Sequence, residues 1–133
     1  MKLTSRCEYA LLALTYLSRH RSEEYVSVDT IAKAQRIPAR FLEQILLILK
    51  RARIVTSGKG ARGGYRMAKQ PERVTLAEVI RTIDGALAPT ESVSKYFYEP
   101  TPIEKEKRLL RVFREIRDYV SDKLEHVTLA DVS

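Results

Sequence analysis

The sequence predicts a mainly α-helical fold with one two-stranded hairpin, followed by a long C-terminal helix. Three observations carry that expectation. Apolar residues recur at threes and fours in several separate segments, the spacing of one face of an α-helix. Four of the five glycines fall within the nine residues GKGARGGYR, from Gly58 to Arg66, between two short stretches with strand character. Beyond Ile103, the apolar residues Leu109, Phe113, Ile116, Val120, Leu124 and Val127 follow one another by threes and fours over about five turns.

Taken in order, Ser5-x-x-Glu8 has the form of a capping box and opens a first helix with Tyr9, Ala10, Ala13, Leu14 and Leu17 on one face. The polar stretch from Ser18 to Glu24 ends it. Ser27 can cap a short second helix whose inner face is Val28, Ile31 and Ala32. Pro38 disfavours helical geometry at Ile37 but suits the first turn of a third helix. That helix is expected to reach about Arg53, with Leu42, Ile45, Leu46 and Leu49 inward. Ile54–Ser57 and Tyr65–Met67 read as strands around the glycine loop. Thr75-x-x-Glu78 opens a fourth helix with Leu76, Val79, Ile80 and Ile83 inward, stopped by Gly85.

A short helix, a tight turn and an amphipathic helix form a helix-turn-helix, and a hairpin directly behind it is a wing. The predicted division is therefore a winged helix-turn-helix domain over residues 1–85, a linker or sensing loop over 86–102, and a dimerisation helix with its tail over 103–133. Pro89, Pro100 and Pro102 and the absence of periodicity mark the linker. The long apolar stripe needs a partner, and a second copy of the chain is the simplest one.

Charge points the same way. The chain of 133 residues has a formal net charge of +7, unevenly placed. Residues 1–70 carry 14 Lys and Arg against 5 Asp and Glu, whereas residues 71–133 carry 10 against 12. One half is built to meet an anion, either nucleic acid or an acidic membrane surface. No apolar run approaches the roughly 20 residues of a membrane span. The opening MKLTSRCEYALLALTYL begins like a signal peptide, but Glu8 interrupts it and no small-residue cleavage site follows Leu17. It reads as a helix of the mature protein, and the chain as cytoplasmic. Cys7 is the only cysteine, which excludes an intrachain disulfide, and with only His20 and His126 beside it a one-chain zinc site is not expected.

The glycine loop has two readings. A phosphate loop needs Gly-Lys-Ser/Thr closing the run and opening a helix, whereas Gly63-Gly64 here is followed by Tyr65 and a strand. No βαβ unit surrounds it, so a dinucleotide fingerprint fails as well. A basic hairpin tip fits, with Lys59 and Arg62 able to lie on phosphates or enter a minor groove. On the third helix Arg40, Glu43, Gln44, Leu47 and Arg51 occupy the face opposite the core stripe. Arginine can bond guanine, glutamine adenine, and glutamate a cytosine amine, while Lys50 and Arg51 suit phosphate. No catalytic triad or paired-carboxylate arrangement is legible, so an enzyme is not expected.

The segments MKLTSRCEYALLAL, IPARFLEQILLILKRARIV, SGKGARGGYRMAK, VTLAEVIRTIDG and TLADV resemble the Rrf-two family of winged-helix transcription regulators. The resemblance covers nearly the whole chain. It implies a homodimer that acts as repressor or activator on double-stranded DNA, with the third helix in a major groove and the wing in the flanking minor groove. The family's DNA-contact positions match Arg40, Phe41, Glu43 and Gln44 in the helix and Lys59 and Arg62 in the wing. Cluster-binding members carry three closely spaced cysteines after the fourth helix, and the corresponding segment here contains none. A conventional iron–sulfur cluster is therefore not expected.

Cys7 and Glu8 leave three options: an unusual cluster ligand pair, a redox thiol, or plain packing. A helix N-terminus and the adjacent Arg6 would lower the thiol pKa and favour the redox option. A second function class also remains open at this point. The linker and its Tyr96-Phe97-Tyr98 cluster could dock on a metabolic enzyme or take a small-molecule effector, with DNA binding secondary.

Overall fold

The computed structural model describes residues 1–21, 24–59 and 63–133. Its elements are α1 (Ser5–Arg19), α2 (Val28–Gln35), α3 (Ala39–Arg51), β1 (Val55–Ser57), β2 (Tyr65–Met67), α4 (Leu76–Ile83), α5 (Lys107–Glu125) and α6 (Leu129–Val132). Short 3₁₀ turns at Pro71–Arg73, Glu91–Val93 and Pro102–Lys105 join them. Among the described residues no helix is long and apolar enough to cross a membrane.

Helices α1, α2, α4 and α6 begin where a short polar side chain satisfies a free amide. Ser27 Oγ accepts from the Thr30 amide at 3.1 Å, and Thr75 Oγ1 accepts from that of Glu78 at 3.0 Å. At α1 the cap is Thr4 and not Ser5: its Oγ1 accepts from the Cys7 amide at 3.1 Å. The same hydroxyl donates to Asp84 Oδ1 at 2.5 Å, and the Thr4 amide donates to Asp84 Oδ2 at 3.1 Å. A carboxylate from the far end of α4 thus selects Thr4, and Glu8 is left exposed in the first turn.

Arg36 leaves α2 in the left-handed conformation (φ 56) and Pro38 stands just before the first residue of α3, so the two helices meet through a tight turn. α3 stops at Arg51, two residues short of the expected end, because Arg53 turns to φ 63 and sends Ile54 into the core before β1. The buried faces of α1, α2 and α3 meet through Leu14, Leu17, Ile31, Leu42, Ile45, Leu46 and Leu49. Full burial of each such aliphatic side chain contributes about 1.5–3 kcal/mol. β1 and β2 pair antiparallel with Val55 opposite Met67, Thr56 opposite Arg66 and Ser57 opposite Tyr65. Val26 adds a third, one-residue strand, exchanging two 2.8 Å backbone bonds with Tyr65.

The C-terminal tail closes on this same core. Thr128 and Asp131 form a capping box for α6, Thr128 bridges Thr75, and Leu129 is fully buried among the residues of the first core. The linker is ordered as well. Leu87 and Val93 are buried beneath α5, and Arg117 donates to the Val93 carbonyl at 2.9 Å. A second small core of Cys7, Ala77, Ile80 and Leu87, flanked by Leu3, Leu11, Ile83 and Leu124, ties α1 and α4 to the linker and α5.

α5 itself departs from expectation in two ways. It starts at Lys107, after the Pro102–Lys105 turn, and its free apolar face is rotated. Leu109, Val112, Ile116 and Tyr119 are exposed, whereas Phe113, Val120, Leu124 and Val127 are only partly so. The reason is the linker, which covers the side of the helix bearing Leu110 and Arg117.

Candidate nucleic-acid interface

Burying Leu42, Ile45, Leu46 and Leu49 fixes the rotation of α3 and sends the opposite side chains outward. Arg40, Phe41, Glu43, Gln44, Leu47, Lys50 and Arg51 are all exposed. Phe41 and Leu47 are 43% and 45% exposed, which no packing demand within the chain explains. The Arg40 guanidinium carbon lies 5.3 Å from the Phe41 ring centroid, within reach of a cation–π contact. The structure therefore brings the predicted α3 residues onto one open surface.

Lys59 is exposed at the beginning of the wing, whereas Arg62 lies outside the described residues. The base of the wing is firmly placed. The Gly58 amide donates to the Gly64 carbonyl at 3.0 Å across the hairpin, and Lys69 Nζ reaches both carboxylate oxygens of Glu78 at 2.9 Å, fastening the strand exit to α4. Arg36, Arg53 and Arg66 add exposed cations around α3 and the hairpin. Among the described residues the ion pairs use Arg21, Lys69, Arg81, Arg117 and His126, and none uses Arg36, Arg40, Lys50, Arg51, Arg53, Lys59 or Arg66. The positive charge of this surface is therefore left for an external anion.

Cys7 stands apart from that surface. It is completely buried, and its thiol pKa is pushed up to about 12. Burial is the main cause; the charge of Asp84 and a hydrogen bond to it come next, then Glu8. The expected lowering by the helix N-terminus is overturned, because desolvation and a carboxylate neighbour outweigh the amide dipoles. Burial holds the Cys7 thiol toward its protonated form, and Glu8 faces solvent beside it. Both histidines donate from Nδ1 to a carbonyl one turn back, His20 to Tyr16 at 2.8 Å and His126 to Asp122 at 2.7 Å. In the linker, Tyr96 lies under the Arg81 guanidinium at 4.9 Å, and Tyr98 donates to Glu104. Phe97 lines an open cleft of about 390 Å³ with Asp84, Glu91 and Glu99 at the foot of α4.

The family model described as "Rrf2: Iron-dependent Transcriptional regulator" matches residues 3–133. The chain belongs to the Rrf2 family. It is 35% identical to an rrf2-like HTH-type transcriptional regulator of Rhodobacter capsulatus, over 98% of this chain and 91% of that protein. It is 29% identical to the HTH-type transcriptional regulator CymR of Bacillus subtilis, over 100% of this chain and 90% of that protein. Among solved structures, that of CymR, titled the global cysteine regulator of B. subtilis, superposes with a TM-score of 0.85 at 27% identity, covering 99% of this chain and 95% of the other. That of T. potens IscR gives 0.78 at 26% identity, covering 99% and 85%. This Rrf2 chain is a DNA-binding transcriptional regulator with a winged helix-turn-helix. The enzyme-docking alternative gains no support from these relatives.

The iron of the family description does not fit the side chains of this Rrf2 member. Its one cysteine is buried, and burial beside Asp84 pushes its thiol pKa up, away from the thiolate form. Among the described residues no three His, Cys, Asp or Glu side chains converge as a ligand set. Thiolate ligands of the kind that hold iron–sulfur clusters are therefore lacking.

Sequence reasoning missed the Tyr25–Val26 segment, which braces the wing. Its only signal is a tyrosine and a β-branched residue just before the Ser27 cap, too short to read as a strand.

Proposed function

We propose that two copies of this regulator pair through α5 and bind double-stranded DNA in the cytoplasm, each placing α3 in a major groove and its wing in the flanking minor groove. The observation that carries this reading is the open outer face of α3, ringed by cations that pair with no carboxylate among the described residues. Arg40, Glu43 and Gln44 are the base-reading side chains, and Phe41 and Leu47 offer apolar contact to thymine methyls. Arg51, Lys59 and Arg62 take backbone phosphates.

Pairing is supported by the exposed stripe of Leu109, Val112, Ile116 and Tyr119, spaced by three, four and three residues as in a helix–helix seam. Tyr119 is 77% exposed in the single chain, which a soluble regulator retains at a surface that another copy covers. Occupying promoter DNA in this way has repression as its simplest consequence.

The test is a fluorescence-anisotropy titration on duplexes enriched from a random pool. Gln44→Ala should lose about 1–3 kcal/mol on the enriched sequence and almost nothing on random DNA. Equal losses on both would refute the assigned reading face.

A further inference from the structure

We propose that Tyr25, Arg66 and Lys59 form a built phosphate cleft on the side of the wing, in which Tyr25 is the positioning residue and the two cations hold one phosphodiester of the DNA backbone. This rests on the DNA-binding reading above and adds a contact that neither α3 nor the tip of the hairpin supplies.

The Tyr25 ring has a dedicated seat. Val26, one residue on, is locked to Tyr65 by two backbone bonds of 2.8 Å, so the Tyr25 backbone is held along the hairpin. The ring then lies against Gly58: a Cβ there would stand 2.7 and 2.8 Å from two ring carbons. Any residue other than glycine would push the ring out, so Gly58 admits the tyrosine rather than merely starting a turn. On Tyr25 sits Arg66, whose guanidinium carbon is 4.7 Å from the ring centroid. Arg66 is on β2 opposite Thr56, in the paired part of the hairpin, and its side chain is exposed.

The guanidinium carbon lies over the ring, and among the described residues the Arg66 side chain makes no hydrogen bond, so its N–H groups are left to bond phosphate oxygens in pairs. An unstacked arginine loses rotamer freedom on binding, whereas one already held on a ring loses less, so the contact is pre-organised. Lys59 completes the arrangement. Among the described residues a cleft of about 310 Å³ is lined by Glu24, Tyr25, Lys59 and Arg66, two cations and one carboxylate. Among the described residues neither Lys59 nor Arg66 forms an ion pair. The net charge, the open mouth and the pre-set guanidinium suit a singly charged phosphodiester, and the place on the wing suits the backbone that flanks a groove occupied by α3.

The experiment is the salt dependence of binding by the full chain to an enriched duplex and to random DNA. Arg66→Ala should flatten the slope of log K against log salt by about 0.9, the loss of one phosphate contact, and weaken both DNAs by a similar factor. Arg66→Lys should keep the slope but bind less tightly, having lost the stack. Tyr25→Ala should weaken binding several-fold, with no further loss when combined with Arg66→Ala, and Tyr25→Phe should restore it because the ring is kept. If Tyr25→Ala fails to fold, the Tyr25→Phe and Arg66→Lys pair still decides. An unchanged slope in Arg66→Ala, with the parent protein binding normally, overturns the cleft and leaves the regulator reading intact. Additive losses in the double variant overturn the positioning role of Tyr25. A parent protein that binds neither DNA refutes the regulator reading, and this assignment with it.

Discussion

Replacing Gly64 by alanine tests how the wing is held to the domain. Gly64 has φ +153, and a Cβ built on it would stand 2.3 Å from the Val26 carbonyl oxygen, 2.5 Å from its carbon and 2.9 Å from the Ser27 nitrogen. All three are backbone atoms, so no side chain can swing aside. The variant must release the Val26 segment, which breaks the two 2.8 Å bonds with Tyr65. Two backbone hydrogen bonds are worth about 1 kcal/mol each, and an alanine in this torsion range costs a further 1–3 kcal/mol or so. The stiffer unfolded chain of the variant offsets about 0.4–1 kcal/mol of that. The expected net loss is therefore about 2–4.6 kcal/mol. Urea unfolding followed by far-ultraviolet circular dichroism, at matched protein concentration, should show a midpoint about 1–2 M lower. Hydrogen exchange at the Val26 and Tyr65 amides should accelerate together. A midpoint within about 0.3 M of the parent, with both amides still protected, would refute the reasoning.

Other perturbations reach different parts of the account. Ile116→Glu puts a carboxylate on the exposed α5 stripe and leaves the single-chain core untouched, so sedimentation should show a folded monomer that has lost most of its DNA affinity. A stable dimer in that variant would contradict the seam. Cys7 favours its protonated form in the fold, so its contribution to stability is complete below about pH 9 and is lost as pH rises toward about 12. Unfolding free energies across that window should fall less steeply for Cys7→Ala than for the parent, by up to about 1.4 kcal/mol per pH unit. Equal slopes would show that the thiol is not held by burial and Asp84. For the same reason iodoacetamide should alkylate Cys7 far more slowly than a free thiol until the chain is unfolded.

Much of the α-helical fold is legible because each helix carries its own instructions. The stripes Leu42–Ile45–Leu46–Leu49 and Val79–Ile80 fix which way α3 and α4 face, and Ser27 and Thr75 fix where α2 and α4 begin. Once the inner face of α3 is known, its outer face follows, so Arg40, Glu43, Gln44 and Arg51 can be named without coordinates. What sequence reasoning misplaced depends on contacts between distant residues. Thr4 rather than Ser5 caps α1 because Asp84, 80 positions away, accepts from it. At Cys7 burial first, and that same carboxylate second, push the thiol pKa up against the expectation. On α5 the apolar residues outnumber those needed for one face. Which of them stay exposed is decided by a linker with no periodicity, held by Arg117 on the Val93 carbonyl. The strand at Val26 is a single bridged residue and leaves almost no pattern to read.

The most direct test of the central claim is a hydroxyl-radical footprint on a duplex enriched by the protein itself. A paired regulator reading with two α3 helices should protect two symmetric patches on one face of the DNA. Their centres should lie about 34–36 Å apart, or a multiple of that, as one helical turn requires. Both patches should fade together when Arg40 and Gln44 are changed to alanine. A single protected patch, or even protection with no helical phase, would contradict the account.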